Sequence, residues 1–188
     1  MSRSRDTPPA AVAVGDIHAA ADLTRFQRML LGADGTVTSI LEAYAGEPVE
    51  VLKLLQAFET ATEAQAELGL GPGDRALRRR ALLRGRHSRR NLLYAETIVM
   101  PDRVEPALLE GLLGTDKPLG ALLVETRAET FREILAVHRE PSGPTGAHFG
   151  IGPEGQLMSR TYRILQGGRP VILVTEKFPA SSFRTVPA

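Results

Sequence analysis

Two side chains in this sequence have the chemistry and the neighbours needed to handle an acidic ligand: a carboxylate on an apolar strand face and an arginine among small residues. In PVILVTEKFP (170–179) side chains alternate across a strand, so Ile172, Val174, Glu176 and Phe178 share one face. A carboxylate taken out of water costs free energy unless something pairs with it, which makes Glu176 a candidate site residue. The competing reading is a sheet-edge strand with Glu176 in water. In LRRRALLRG (77–85) Arg79 shares its face with Ala81 and Leu83, while Arg78 and Arg80 flank Leu82 on the other. A guanidinium among small, apolar neighbours suits bidentate capture of a ligand carboxylate. Arg163 of RTYRIL is a further candidate, either as the partner of a carboxylate or as a surface charge.

Other chemistries find little support. The chain has no cysteine, which excludes disulfides, thiol nucleophiles and Cys-ligated zinc, and accords with a reducing cytoplasm. His18, His87, His138 and His148 show no metal-ligand spacing, and no metal or other cofactor is expected. There is no GxSxG nucleophile elbow and no Gly-rich phosphate loop. Eight arginines fall between positions 75 and 90, as a nucleic-acid patch would have them. Aromatic interleaving is sparse, however, and the formal net charge is +1, so solvation of a strand edge explains them better. The run Glu125, Arg127, Glu129, Arg132 and Glu133 reads as solvated, salt-bridging charge. The opening MSRSRDTPPAAVAVGD has no apolar stretch long enough for a membrane span or signal peptide.

The elements that must position these residues follow from pattern and punctuation. At 188 residues one domain with a real core is expected, over residues 15–188, preceded by a flexible tail at 1–14. Asp16 is a candidate N-cap for a helix to about Leu31, with Ile17, Leu23, Phe26 and Leu30 on or near one face. A turn at 32–35 precedes a short helix through SILEAY, started by Thr36 or Thr38 and closed by Gly46. VEVLKLLQAFET (49–60) reads equally as helix or buried strand. Strands are predicted at 77–85, 91–100, 131–138, 158–165 and 171–178, the last two forming a hairpin around QGGRP. Residues 104–113 have amphipathic helical spacing, and TDKPLGALLVE opens with a capped turn. Helices first and then mostly strands predict an α+β fold with a largely antiparallel sheet.

In order along the chain, DLTRFQRMLLGADGTVTSILEAY, LRRRALLRGRHS, LLYAETIVMP, LLGTDKPLGALL, ETFREI and SRTYRILQGGRPVILVTEKF resemble the chorismate lyase family, in particular its compact actinobacterial-type branch. The resemblance spans about residues 22–184. It implies a single antiparallel sheet with flanking helices, similar to the effector-binding domains of some transcription regulators, and makes 49–60 a strand. It also implies a closed, water-poor cavity in which Arg79 holds the ring carboxylate of the ligand and Glu176 lies toward the oxygen at the opposite end. Leu119 of the PLG motif supplies a backbone contact, and Val37 stands where better-known members have Met. Those members carry an arginine in the second strand where this chain has Glu96 or Thr97; Arg163 is the candidate to replace it.

The activity implied is cofactor-free conversion of chorismate to 4-hydroxybenzoate and pyruvate, with Glu176 giving a proton or hydrogen bond to the ether oxygen. Two alternatives stay open: a non-catalytic module binding an aromatic carboxylate effector, and an enzyme making another hydroxybenzoate from chorismate.

Overall fold

The computed structural model describes residues 23–34 and 37–183. The predicted tail, Asp16 and Thr36 lie outside the described residues. Helix α1 (Arg25–Gly32) begins at Thr24, whose extended backbone precludes a helix running through it from further upstream, as had been expected from Asp16. Thr24 and Gln27 form a reciprocal capping box, which satisfies two amides that the first turn leaves open. Helix α2 spans Val37–Ala45.

Six antiparallel strands follow, β1 (Val49–Thr60), β2 (Arg75–Gly85), β3 (Asn91–Val99), β4 (Thr130–Pro141), β5 (Gln156–Gln166) and β6 (Arg169–Pro179), in the spatial order β1-β2-β3-β6-β5-β4. Residues 49–60 are therefore strand, as the resemblance implied, and β1 and β4 are the two edges. The β5–β6 hairpin turns on Gly167 and Gly168, both with positive φ, the backbone that a two-residue turn between twisted strands demands. Between β3 and β4 come α3 (Pro106–Gly114), which starts on a proline, and α4 (Leu119–Glu125). The predicted capped turn at TDKPLG is instead an extended link followed by α4. At Gly111 a Cβ would come within 2.8 Å of the Leu122 side chain, so the absent side chain lets α4 pack close against α3.

Both helix pairs lie on one face of the sheet. Beneath α1 and α2, Leu30, Leu31, Leu41, Leu93, Phe178 and Phe183 pack into one buried cluster. Beneath α3 and α4, Leu108, Leu112, Leu122, Ile164, Ile172 and Val174 form another. The rows of side chains between these clusters cannot be filled by either, because their centre is Ala81 paired with Ala95. Small residues there leave a gap in the apolar layer. Among the described residues no helix is long and apolar enough to cross a membrane.

Candidate active site

The gap is a cavity whose floor is the sheet and whose walls are Val37 and Thr38 at the start of α2 and Lys117–Gly120 at the start of α4. Pairing register places its residues. One row across the sheet runs Gln56, Arg79, Thr97, Val174 and Tyr162; the next runs Ala81, Ala95, Glu176 and Arg160. Arg79 and Glu176 thus face the same cavity two strands apart, with alanines between them.

Arg79 is 6% exposed. Its Nε donates to Gln56 Oε1 at 2.9 Å, and no carboxylate among the described residues pairs with it. Burial pulls the guanidinium below its ordinary pKa, although arginine remains charged at any physiological pH. A buried cation with only a neutral amide for company is incompletely compensated. Arg78 and Arg80 point to the other face, where Arg78 meets Glu59 and Arg80 meets Glu96 at 3.6 Å.

Glu176 is held from two sides. Arg160 Nε donates to its Oε2 at 2.7 Å and the Tyr162 hydroxyl donates to its Oε1 at 3.1 Å. Burial first, and then the Glu176 charge, push the Tyr162 hydroxyl far above the usual tyrosine pKa, so it stays protonated and acts as a donor. The other end of Arg160 donates to the carbonyls of Leu30 at 2.9 Å and Ala33 at 2.7 Å. Those carbonyls at the end of α1 have no intrahelical partner, and a cation there is favoured. Arg160 therefore ties the site carboxylate to the helix that roofs the neighbouring core.

The expected residues do not all converge. Val37 is buried at the first position of α2 and Leu119 starts α4, where first-turn amides lack intrahelical acceptors. Both line the cavity. Arg163 does not: it sits on the opposite sheet face, donating to Glu133 at 2.7 Å and to the Glu67 carbonyl at 3.2 Å. A one-residue shift of register at Ile164/Leu165 puts Arg160, rather than Arg163, on the Glu176 side. At the second-strand position, Thr97 faces the cavity, and Glu96 turns away to accept from Tyr94 at 2.7 Å.

Tyr162 and Arg132 also line the cavity, and Arg160 pairs with Glu176 beside it; the sequence pattern singled out none of the three as a site candidate. Arg132 had been counted with the solvated charges but lines the cavity. Alternation from Tyr162 on β5 is the signal that would have exposed Arg160. Among the described residues there is no group of three or more His, Cys, Asp or Glu placed to hold a metal.

Comparison with known proteins gives the chain a family and a fold. Residues 30–185 match the family described as chorismate pyruvate-lyase Rv2949c-like. The chorismate pyruvate-lyase of Mycobacterium tuberculosis (strain ATCC 25618 / H37Rv) is 31% identical over 172 residues, covering 88% of this chain and 85% of its own. That of Mycobacterium leprae (strain TN) is 31% identical over 166 residues, covering 88% and 79%. Among solved structures, the effector domain of PhnF from Mycobacterium smegmatis superposes with a TM-score of 0.61 at 16% identity, over 79% of this chain and 90% of that one. The C-terminal domain of the histidine utilization repressor from Pseudomonas syringae pv. tomato gives 0.58 at 16% identity, over 74% and 97%. At such identities these regulator domains share the fold alone. The family match covers all six strands, α2, α3, α4 and the end of α1, and on it the chain belongs to the chorismate pyruvate-lyase Rv2949c-like family.

Proposed function

We propose that this protein is a chorismate pyruvate-lyase, releasing 4-hydroxybenzoate and pyruvate from chorismate. The observation that carries the reading is an arginine without a carboxylate partner and a fixed carboxylate facing one cavity across a floor of alanines. Arg79 takes the ring carboxylate. Ala81 and Ala95 leave room for the six-membered ring. With the ring carboxylate on Arg79, the oxygen at the opposite end is the hydroxyl on ring carbon 4 rather than the ether oxygen on carbon 3 that was expected, and Glu176 takes that hydroxyl. Val37 and Leu119 close the cavity from above, Leu119 through its backbone.

The atoms balance without an oxidant or reductant. The bond from ring carbon 3 to the ether oxygen breaks, the hydrogen on ring carbon 4 ends on the vinyl carbon, and the oxygen becomes the ketone of pyruvate. Aromatisation drives the step, so the protein has mainly to hold the reactive conformer and keep water out. Glu176 already accepts from Arg160 and Tyr162, which supports an orienting role over proton donation. Cytoplasmic localisation belongs to the same proposal and is supported by the cysteine-free composition.

Incubation of purified protein with chorismate, in EDTA and with no metal added, should give 4-hydroxybenzoate and an equal amount of pyruvate by chromatography. Intact chorismate would leave an effector-binding role, and 3-hydroxybenzoate alone would make it a different chorismate-consuming enzyme.

A further inference from the structure

Chorismate carries two carboxylates, and Arg79 accounts for one. Arg132 sits on edge strand β4, opposite Ile164 and beside the Ile134–Tyr162 pair, and lines the same cavity as Arg79 and Glu176. One of its terminal nitrogens donates to the Asp34 carbonyl. Its Nε is buried and has no partner, and no carboxylate among the described residues pairs with it. A buried donor without an acceptor is costly, and an incoming oxygen would satisfy it.

The charge balance around the cavity points the same way. Glu176 is matched by Arg160 at 2.7 Å, and Lys117 is matched by Glu125 at 2.8 Å. Two cations remain uncompensated, Arg79 on β2 and Arg132 on β4, with β3, β6 and β5 between them. Their backbones are four strand spacings apart, roughly 19 Å, and both residues line the cavity that lies over the intervening strands. Such a site suits a dianion lying across the sheet, with its middle over Glu176.

We propose that Arg132 binds the second carboxylate of chorismate, the one on the enolpyruvyl side chain. This rests on the chorismate reading and adds a consequence to it. 4-Hydroxybenzoate keeps the carboxylate for Arg79 but has lost the one for Arg132, so the contact distinguishes substrate from product.

The test compares Arg132→Gln, Arg132→Lys and Arg79→Ala with wild type, and uses Arg78→Ala on the opposite face as a control. Arg132→Gln should raise KM for chorismate about 10–100-fold while inhibition by 4-hydroxybenzoate stays within about twofold, the scale for one lost charge-assisted hydrogen bond. Arg132→Lys should recover part of the loss, because a point charge replaces the fork. Arg79→Ala should weaken substrate and product alike. An unchanged KM in Arg132→Gln, or product inhibition weakened as much as KM, overturns the assignment.

Because Arg132 also holds the Asp34 carbonyl, a ligand series on the wild-type protein gives an answer that needs no variant to fold. By calorimetry, 3-carboxymethoxy-4-hydroxybenzoate should bind at least about tenfold tighter than 4-hydroxybenzoate, and equal affinities reject the second anchor. If wild type binds both ligands but leaves chorismate intact, the lyase reading falls while the affinity ratio still decides the role of Arg132.

Discussion

Glu176 shows how a buried charge is tolerated beside a cavity. Its carboxylate, 6% exposed, has Arg160 on one oxygen and the Tyr162 hydroxyl on the other. Removing one member of a buried pair strands the other, typically at about 3–5 kcal/mol. Glu176→Gln should therefore lower stability in urea melts by strandings of that kind. Its kcat should stay within about tenfold of wild type if the group only orients the ring hydroxyl, with Glu176→Ala far worse. A fall of about 10²–10⁴-fold in the Gln variant would assign proton transfer instead. The double change Arg160→Met with Glu176→Gln separates the two effects: it should recover part of the stability, since neither member of the pair is left as a stranded charge although the Leu30 and Ala33 carbonyls lose their donor, without restoring any loss in kcat.

Helices α1 and α2 are short, eight and nine residues, and would be marginal alone. What holds them over the sheet is the 3-10 turn Ala180–Phe183 that follows β6. Gln27 Nε2 donates to the Ala180 carbonyl at 2.9 Å, the Tyr44 hydroxyl to Ser182 at 2.6 Å, and Thr24 Oγ1 to Phe183 at 3.0 Å. The Phe183 ring is fully buried, against Phe26 at 5.9 Å and Phe178 at 6.1 Å between centroids. Phe183→Ala should cost about 3–5 kcal/mol by denaturant unfolding, the range for deleting a buried phenylalanine. It should also raise KM, because α2 carries Val37 into the cavity wall; an unchanged KM would mean that α2 holds its place without this turn.

On the scale of the whole molecule, the arginine-rich stretch from 75 to 90 is divided between the two sheet faces and largely neutralised. Arg75 stacks over the Phe58 ring at 4.1 Å, Arg84 pairs with Glu50 at 2.7 Å, and Arg78 and Arg80 have glutamate partners of their own. Arg79 alone turns into the cavity. Paired arginines do not release phosphate counterions as a basic stripe would. In a fluorescence-polarisation titration with duplex DNA at physiological salt, no saturable binding is expected; a steep fall of affinity with added salt would mean that the arginines form a nucleic-acid surface after all.

Alternation by twos is local, so the composition of β6 already put Glu176 among Ile172, Val174 and Phe178, and that of β2 put Arg79 with Ala81. Five of the six strands and the hairpin at QGGRP were legible for the same reason, whereas 49–60 read equally as helix or strand and became a strand only through the family resemblance. The capping box of Thr24 and Gln27 was legible too, in TRFQ, although Asp16 had been preferred. Which residues meet across strands was not legible, because register depends on bulges. Continuing the tight pairing of Gln166 with Arg169 without a shift would set Arg163 opposite Ile172, on the Glu176 side. The irregularity at Ile164/Leu165 moves the pairing by one residue and sets Arg160 opposite Glu176. Arg132 was hidden in a different way. Its neighbours in sequence are charged, and only the return of β4 to the sheet edge beside β5 sets it opposite Ile164, at the cavity. Residue type and a period of two carried the α+β class and set Glu176 among apolar neighbours and Arg79 beside Ala81. Tertiary structure alone decided which cation neutralises the carboxylate and which remain free for a ligand, because that depends on strand order and on one bulged residue.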